Sequence, residues 1–309
     1  LAIVDEASQI LGPHLLGLLC ARHGGCDAIR RFVLIGDHKQ LPAVVQQEAT
    51  DSVVSDERLR AVGLTDCRDS FFQRLLRLQQ RDNPEGDSPF VFRFEQQGRM
   101  HPEVADFANL HFYGGLLRPV PLPHQCQPLS FPCRDEADPM QQLLARRRVA
   151  FLPAERPAYS DSPKVNEVEA CIIARVAHAV YRLHELNGRP FQPDTTLGII
   201  VPYRHQIAVA RKHIATYGVP ALDAITIDTV ERYQGSQRDV IIYGFTVQMP
   251  HQLDFLCAQT FEEDGHTIDR RLNVAMTRAR EQMVLVGNPT LLSLNPVLSD
   301  ITRLLGERL

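Results

Sequence analysis

No stretch of the 309-residue sequence reaches the roughly 18 consecutive apolar residues of a membrane span. The apolar opening Leu1-Ala2-Ile3-Val4 has no basic leader and runs straight into Asp5 and Glu6, so these residues are not expected to act as a signal peptide. Cysteines at CxxC spacing are also missing. The seven that occur are scattered and odd in number, which points to reduced thiols in a cytoplasmic setting over a disulfide framework. His124, Cys126 and Cys133 lie near one another, but their spacing fits no zinc pattern, and a loop with incidental cysteines is the plainer reading. An excess of positive charge is lacking too. A net charge of −4 argues against a broad basic surface for nucleic acid. It leaves room for a narrow channel that grips a single strand with a few arginines and aromatic rings. Lysine is scarce, at Lys39, Lys164 and Lys212 only, so arginine carries nearly all the positive charge. Arginine suits bidentate phosphate contacts, but a biased composition is the plainer explanation of the excess.

What is present reads as globular α/β. An apolar fraction of 44% beside 23% charged residues supports packed cores, and the length favours two domains. In residues 1–95, Leu1–Val4 and Arg31–Ile35 are short, non-alternating apolar runs with helical patterns between them. That is the signature of parallel strands covered on both faces. In such sheets ligands gather beyond the carboxyl ends of the strands. Those ends hold Asp5-Glu6 and Gly36-Asp37. Ser70–Gln80 reads as an amphipathic helix with Phe71, Leu75 and Leu78 inward, and residues 81–89 as a loop. Residues 96–309 read as a second α/β unit. Its pattern gives a strand at Val149–Leu152, a helix at Asn166–Leu186 and a strand at Leu197–Val201. A helix at Gln206–Tyr217, strands at Ile225–Ile227 and Val240–Tyr243, a helix at Arg270–Arg280 and a strand at Met283–Val286 follow. Residues 118–163, rich in proline, read as an irregular insertion. A strand at the very first residue leads us to expect further natural sequence upstream.

Two segments carry chemistry by themselves. In Asp5-Glu6-Ala7-Ser8, an aspartate suits magnesium, which prefers hard oxygen ligands and keeps much of its water. The neighbouring glutamate suits orientation or deprotonation of an attacking water. The same pair also suits a helix start, favoured by the helix dipole. In Gly36-Asp37-His38-Lys39-Gln40-Leu41-Pro42, Asp37 approaches that pair if the two strands are neighbours, and Gln40 is a neutral group able to sense a terminal phosphate. An ordinary aspartate turn stopped by proline is the competing reading.

Taken together, DEAS and GDHKQLPAVV resemble motifs II and III of superfamily 1 helicases, in the up-frameshift-like, 5′-to-3′ branch. Later segments agree in order. Phe71-Phe72-Gln73-Arg74-Leu75 resembles the SLFERL helix. Gln97-Gly98-Arg99-Met100-His101-Pro102 with Phe112-Tyr113-Gly114-Gly115-Leu116 resembles QYRMHP…FYxGxL. Pro202-Tyr203-Arg204-His205-Gln206 resembles the TPYxxQ segment. Thr229 to Asp239 resembles motif V, and Arg271 to Arg280 motif VI. The likeness spans nearly everything outside 118–163. It implies two RecA-like parallel-sheet domains, the first, residues 1–95, lacking its phosphate-loop strand, and the second spanning 96–309. It also implies an ATP-dependent helicase or translocase acting on single-stranded DNA or RNA, with ATP as substrate and Mg2+ as cofactor.

The implied site residues follow position by position. Glu6, Gln40, Arg99 and Arg278 are candidates for catalysis, the arginines by neutralising charge that develops on the transferred phosphoryl group. Asp5 is the metal ligand. Asp5, Asp37, Gly235, Gln237 and Arg271 are candidates for the nucleotide, Arg271 and Arg278 sharing one helix face at a spacing of two turns. Pro42, Tyr203, Gln206 and Thr229 are candidates for the strand. Core packing is the open alternative for Pro42, Tyr203 and Thr229. Three departures stand out. No G-x-x-x-x-G-K-[ST] loop occurs anywhere in the 309 residues. Gly98 replaces an aromatic that resembles an adenine platform, and Gln237 replaces a glutamate. The chain alone is therefore expected to be inactive, to need an amino-terminal part of the same protein and, with its sheet uncovered, to be either poorly soluble or shielded by self-association. The alternative is a non-catalytic module, derived from a helicase, that binds nucleic acid or protein.

Overall fold

The computed structural model describes residues 1–84, 88–129, 131–132, 138–154 and 162–306. They form two compact units, Leu1–Phe94 and Glu95–Leu309.

In the first unit, β1 (Ala2–Val4) pairs in parallel with β2 (Phe32–Leu34), with Ala2 opposite Phe32 and Val4 opposite Leu34. Between them lies α1 (Gly12–Leu19), which starts with proline in its first turn, where the missing N–H costs nothing. Helix α2 (Phe71–Asp82) begins at Ser70, whose hydroxyl accepts from the Gln73 amide. Side chains alternate across a strand, so Val4 turns into a small core with Ala7 and Leu15, against which Ile10, Leu34, Phe71 and Phe72 pack. The opposite set, Ile3 and its partner Val33, is 63% and 44% exposed. The first unit therefore shows an uncovered sheet face, as expected for a sheet lacking its phosphate-loop strand, and not the cover on both faces that the apolar runs alone suggest. The run was apolar, but within this unit only one face of the two strands is packed.

The second unit carries a five-stranded, all-parallel sheet. In chain order its strands are β3 (Val149–Pro153), β4 (Leu197–Ile200), β5 (Thr226–Asp228), β6 (Arg238–Gly244) and β7 (Ala279–Gly287), and in space they lie β3-β7-β6-β4-β5. Both alternating sets are buried: Ile242 and Val284 on one face, Ile241, Tyr243, Met283 and Leu285 on the other. The first face packs on α6 (Glu167–Leu186), through Ile173, Ala174, Ala177 and Val180. The Asn166 side chain caps that helix by accepting from the Glu169 amide. A helix over Pro102–Phe112, α3, follows the turn that carries Arg99.

Two readings change. The helix expected over Arg270–Arg280 is α9, Arg270–Met276. It stops at Thr277, whose hydroxyl folds back onto the Asn273 carbonyl, and β7 begins at Ala279, so Arg278 stands in the joint and shares no helix face with Arg271. The proline-rich stretch holds α4 (Pro123–Cys126) and α5 (Pro139–Arg146), each led by a proline in its first turn. Cys133 lies outside the described residues. Among those described, no group of three His, Cys, Asp or Glu is placed to hold a metal, and no helix is long and apolar enough to cross a membrane. Further along the chain lie α7 (Arg204–Ala215) and α8 (Gln252–Leu256).

Candidate nucleotide and strand site

In the first unit the two acidic segments are neighbours because their strands are. The parallel ladder continues past the strand ends: Ile35 donates to the Val4 carbonyl and Ala7 donates to the Ile35 carbonyl, at 2.8 and 2.7 Å. Asp37 N–H reaches the Ser8 hydroxyl at 3.3 Å. A Cβ on Gly36 would stand 2.8 Å from the Ser8 backbone nitrogen, so only glycine allows this approach. Asp5 and Glu6 are exposed. Glu6 holds a left-handed backbone, φ 51° and ψ 34°, which costs a non-glycine residue about 1–2 kcal/mol. Its amide donates to Asp5 Oδ1 at 2.9 Å, and its carboxylate accepts from Gln9 at 2.7 Å. Asp37 accepts from the Lys39 amide and, at 3.0 Å, from the Gln40 side chain, so Asp37 and Gln40 form one linked pair. Pro42 is half-buried, beside a largely exposed Val44.

In the second unit, groups far apart in sequence meet on Arg99. Its Nε donates to Gln237 Oε1 at 2.9 Å and its Nη1 to the Thr277 carbonyl at 3.0 Å. Arg278, 2% exposed, donates to the carbonyls of Val274 and Ser236 and to the Thr277 hydroxyl. Gly235 turns the chain here with φ 81°, and open space surrounds its missing Cβ, so the backbone angle alone requires glycine. Arg280 pairs with Asp239 at 2.7 Å. Burial pushes the Asp239 carboxyl up despite that partner.

Other expected residues form a separate set. Arg271, 8% exposed, donates to the Phe255 carbonyl at 2.7 Å and to Glu231 at 2.9 Å, with its guanidinium 4.6 Å from the centre of the Phe255 ring. That ring stacks on Tyr203, centroids 5.3 Å apart at 19°. Burial raises the Tyr203 phenol, and a hydrogen bond with Gln252 opposes it. Thr229 is half-buried, its amide bonded to Asp228. Gln206 requires a correction. It is fully buried in the first turn of α7, accepting from the Asn166 amide at 2.8 Å and donating to the Asn166 carbonyl at 2.9 Å. Both ends of its amide hold the loop before α6, so it does not face a strand in this structure. Beside it Glu169, fully buried, accepts from the Thr246 amide at 2.8 Å. Burial drives its carboxyl up to about 8 against that hydrogen bond. Neither Glu169 nor Phe255 nor Glu231 stood out in the sequence. A lone glutamate on a helix and a single aromatic in the short helix α8 carry no spacing signal.

A family model described as an AAA domain matches residues 67–290, and a second with the same description matches residues 1–48. The chain belongs to the AAA-domain family. Its curated relatives in this family are superfamily 1 helicases of the up-frameshift-like and related kinds, as the motifs implied. It is 29% identical over 299 residues to the DNA replication ATP-dependent helicase/nuclease DNA2 of Xenopus laevis, covering 92% of this chain and 24% of that protein. It is 27% identical over 305 residues to Regulator of nonsense transcripts 1 of Dictyostelium discoideum, covering 97% of this chain and 19% of that protein. It is 28% identical over 298 residues to the DNA polymerase alpha-associated DNA helicase A of Saccharomyces cerevisiae, covering 93% and 38%. The AAA-domain chain thus spans well under half the length of each. Among solved structures it is similar to an arterivirus helicase, nonstructural protein 10, at 13% identity and a TM-score of 0.39, over 93% of this chain and 38% of that one.

Proposed function

We propose that this chain is the greater part of an ATP-driven motor that moves along a single strand of DNA or RNA. In this reading residues 1–95 are the carboxy-terminal part of a first RecA-like domain and residues 96–309 the second. The observation that supports it best is Arg99, one side chain bonded to motif V through Gln237 and to motif VI through Thr277, segments 138 and 178 residues away. A convergence of that kind serves a guanidinium held ready for a phosphate.

The roles then follow. Glu6 orients the attacking water, and the linked Asp37 and Gln40 report on the terminal phosphate. Arg99 and Arg278 offset its developing charge, Arg278 by exchanging its carbonyl partners for phosphate oxygens. Gly235 and Gln237 border the nucleotide. Arg271, bound to Glu231 and Phe255, fixes α9 in place and is withdrawn from direct nucleotide contact. Pro42, Tyr203 and Thr229 face the strand. The exposed carboxylate of Asp5 fits Mg2+, which takes one or two protein carboxylates and completes its shell with water and phosphate oxygens. The ion, when bound, neutralises phosphate charge. The uncovered face of β1 and β2 is where an amino-terminal part of the same protein packs, and the setting is cytoplasmic.

The purified chain should bind a fluorescein-labelled single-stranded oligonucleotide, more weakly as salt rises. It should show no magnesium-dependent ATP hydrolysis, since a phosphate loop is absent from its sequence. Joined to the phosphate-loop half of a relative it should turn over, and Arg99→Ala or Arg278→Ala should each lower kcat by roughly 10³-fold or more. Vigorous turnover by the 309 residues alone, or indifference to single strands, would sink the reading.

A further inference from the structure

Helix α4 lies in the proline-rich stretch that matched no motif, yet its side chains close on the arginine turn. Gln125 is 3% exposed. Its Nε2 donates to the carbonyls of Gln97 and Met100, both at 2.9 Å, and its Oε1 accepts from the Leu122 amide at 3.2 Å. Two carbonyl partners can be met only by the NH2 end of the amide, so the side-chain orientation is fixed by chemistry. His124 Nε2 lies 2.9 Å from the Arg99 carbonyl and must donate to it. Leu122 covers the same turn: a Cβ on Gly98 would meet its Cδ1 at 3.2 Å. The far end of the helix is anchored as well. Arg148, 4% exposed, donates to the Gln127 carbonyl at 2.6 Å and to the Glu281 carbonyl of β7 at 3.1 Å.

The backbone on either side of Arg99 is thus held by α4, while its guanidinium is held by Gln237 and Thr277. We propose that Gln125 and His124 are positioning residues for Arg99. They fix the turn from Gln97 to Met100, so that the guanidinium meets motifs V and VI without a search through loop conformations. The functional meaning rests on reading Arg99 as a phosphate-facing group. The positioning itself does not.

Labelling with p-hydroxyphenylglyoxal, read peptide by peptide on the 309-residue chain, tests this without turnover. The reference is Arg232, whose side chain is 67% exposed. Gln125→Leu removes the double donor, and labelling of Arg99 should accelerate roughly tenfold, the scale of one lost buried donor, while Arg232 keeps its rate. His124→Ala should accelerate Arg99 severalfold. His124→Gln carries an amide N–H to nearly the same place and should restore the wild-type rate, which a role in packing alone would not predict. Unchanged Arg99 labelling in both Gln125→Leu and His124→Ala overturns the proposal, as does His124→Gln behaving like His124→Ala. If Gln125→Leu fails to fold, the His124 pair decides, because that side chain is only half-buried. Full turnover by Arg99→Ala in the joined motor would remove the functional reading and leave the labelling result standing.

Discussion

The two units bury their sheets to very different depths. In the second, both faces of five parallel strands are closed, and Ile241, Ile242, Tyr243, Val284 and Leu285 are at most 1% exposed. In the first, two strands close one face over Val4, Ala7 and Leu15 and leave Leu1, Ile3, Val33 and Ile35 more than a third exposed. Similar apolar runs thus give a rigid platform in one place and a half-finished one in the other. The acidic pair Asp5-Glu6 stands on the half-finished one. Since apolar burial scales with area removed from water, the second unit should hold most of the stability of this chain.

The sharpest way to break that contrast is in the cores. Ile242→Ala should destabilise the second unit by about 2–5 kcal/mol, the cost of truncating a fully buried aliphatic side chain. Val4→Ala should cost the first unit less, because its surroundings are already partly open. Hydrogen exchange followed through denaturant should show residues 1–94 opening first, and Ile242→Ala should move only the later transition. A single cooperative transition, equally sensitive to both changes, would erase the difference between the units.

Glu169 sharpens the same contrast, since a fully buried carboxyl belongs to a closed core. With its pKa raised to about 8, the folded state keeps a proton that the unfolded chain releases in the ordinary carboxylate range. Stability from this group therefore falls as pH rises through that window and levels off above about 8. Glu169→Gln keeps an acceptor for the Thr246 amide and deletes the titration. At pH 4, below the window, where the carboxyl is protonated in both states, the variant should match the wild type. At pH 8.5 it should be more stable by at least about 1.4 kcal/mol, the equivalent of one pKa unit. Parallel pH profiles for the two proteins would mean that the carboxyl finds water or a cation when ionised.

A smaller effect is expected on the open side. Ile3→Lys combined with Val33→Lys places charge on the uncovered face of β1 and β2, and charge on an exposed strand discourages association. Sedimentation velocity should show self-association weakened by roughly tenfold, equivalent to about 1.4 kcal/mol. The core change Val4→Ala should lack that effect. Association that survives the double change belongs to another surface.

Much of this was legible in the sequence, and the gaps have physical causes. The apolar period gave α6 almost to the residue, and Asn166 turns out to cap it. Pairing of the acidic segments followed from two adjacent parallel strands. Helices α4 and α5 were missed because proline was read as a breaker, although at the first helical position it is a good start. The meeting of Arg99 with Gln237 and Thr277 depends on tertiary packing across 138 and 178 residues, which no spacing encodes. Gln206 misled for a related reason: a motif fixes which residue stands at a position, and the neighbouring Asn166 decided where its amide went.

The smallest effect bears on why the acidic pair stands on the weaker platform. Glu6 occupies a left-handed backbone that glycine would accept freely. Relief of that strain, about 1–2 kcal/mol, is partly offset by the extra freedom glycine gives the unfolded chain, about 0.5–1 kcal/mol. Glu6→Gly should therefore raise the unfolding midpoint of the first unit by the equivalent of about 0.5 kcal/mol, and in the joined motor it should abolish hydrolysis. On the proposed reading, a residue that costs the weaker unit stability where a better one is available is kept for its carboxylate. Loss of stability in Glu6→Gly would point elsewhere: the hydrogen bond to Gln9, 2.7 Å long, would then be what holds the turn, and the left-handed angle would be a consequence of that bond.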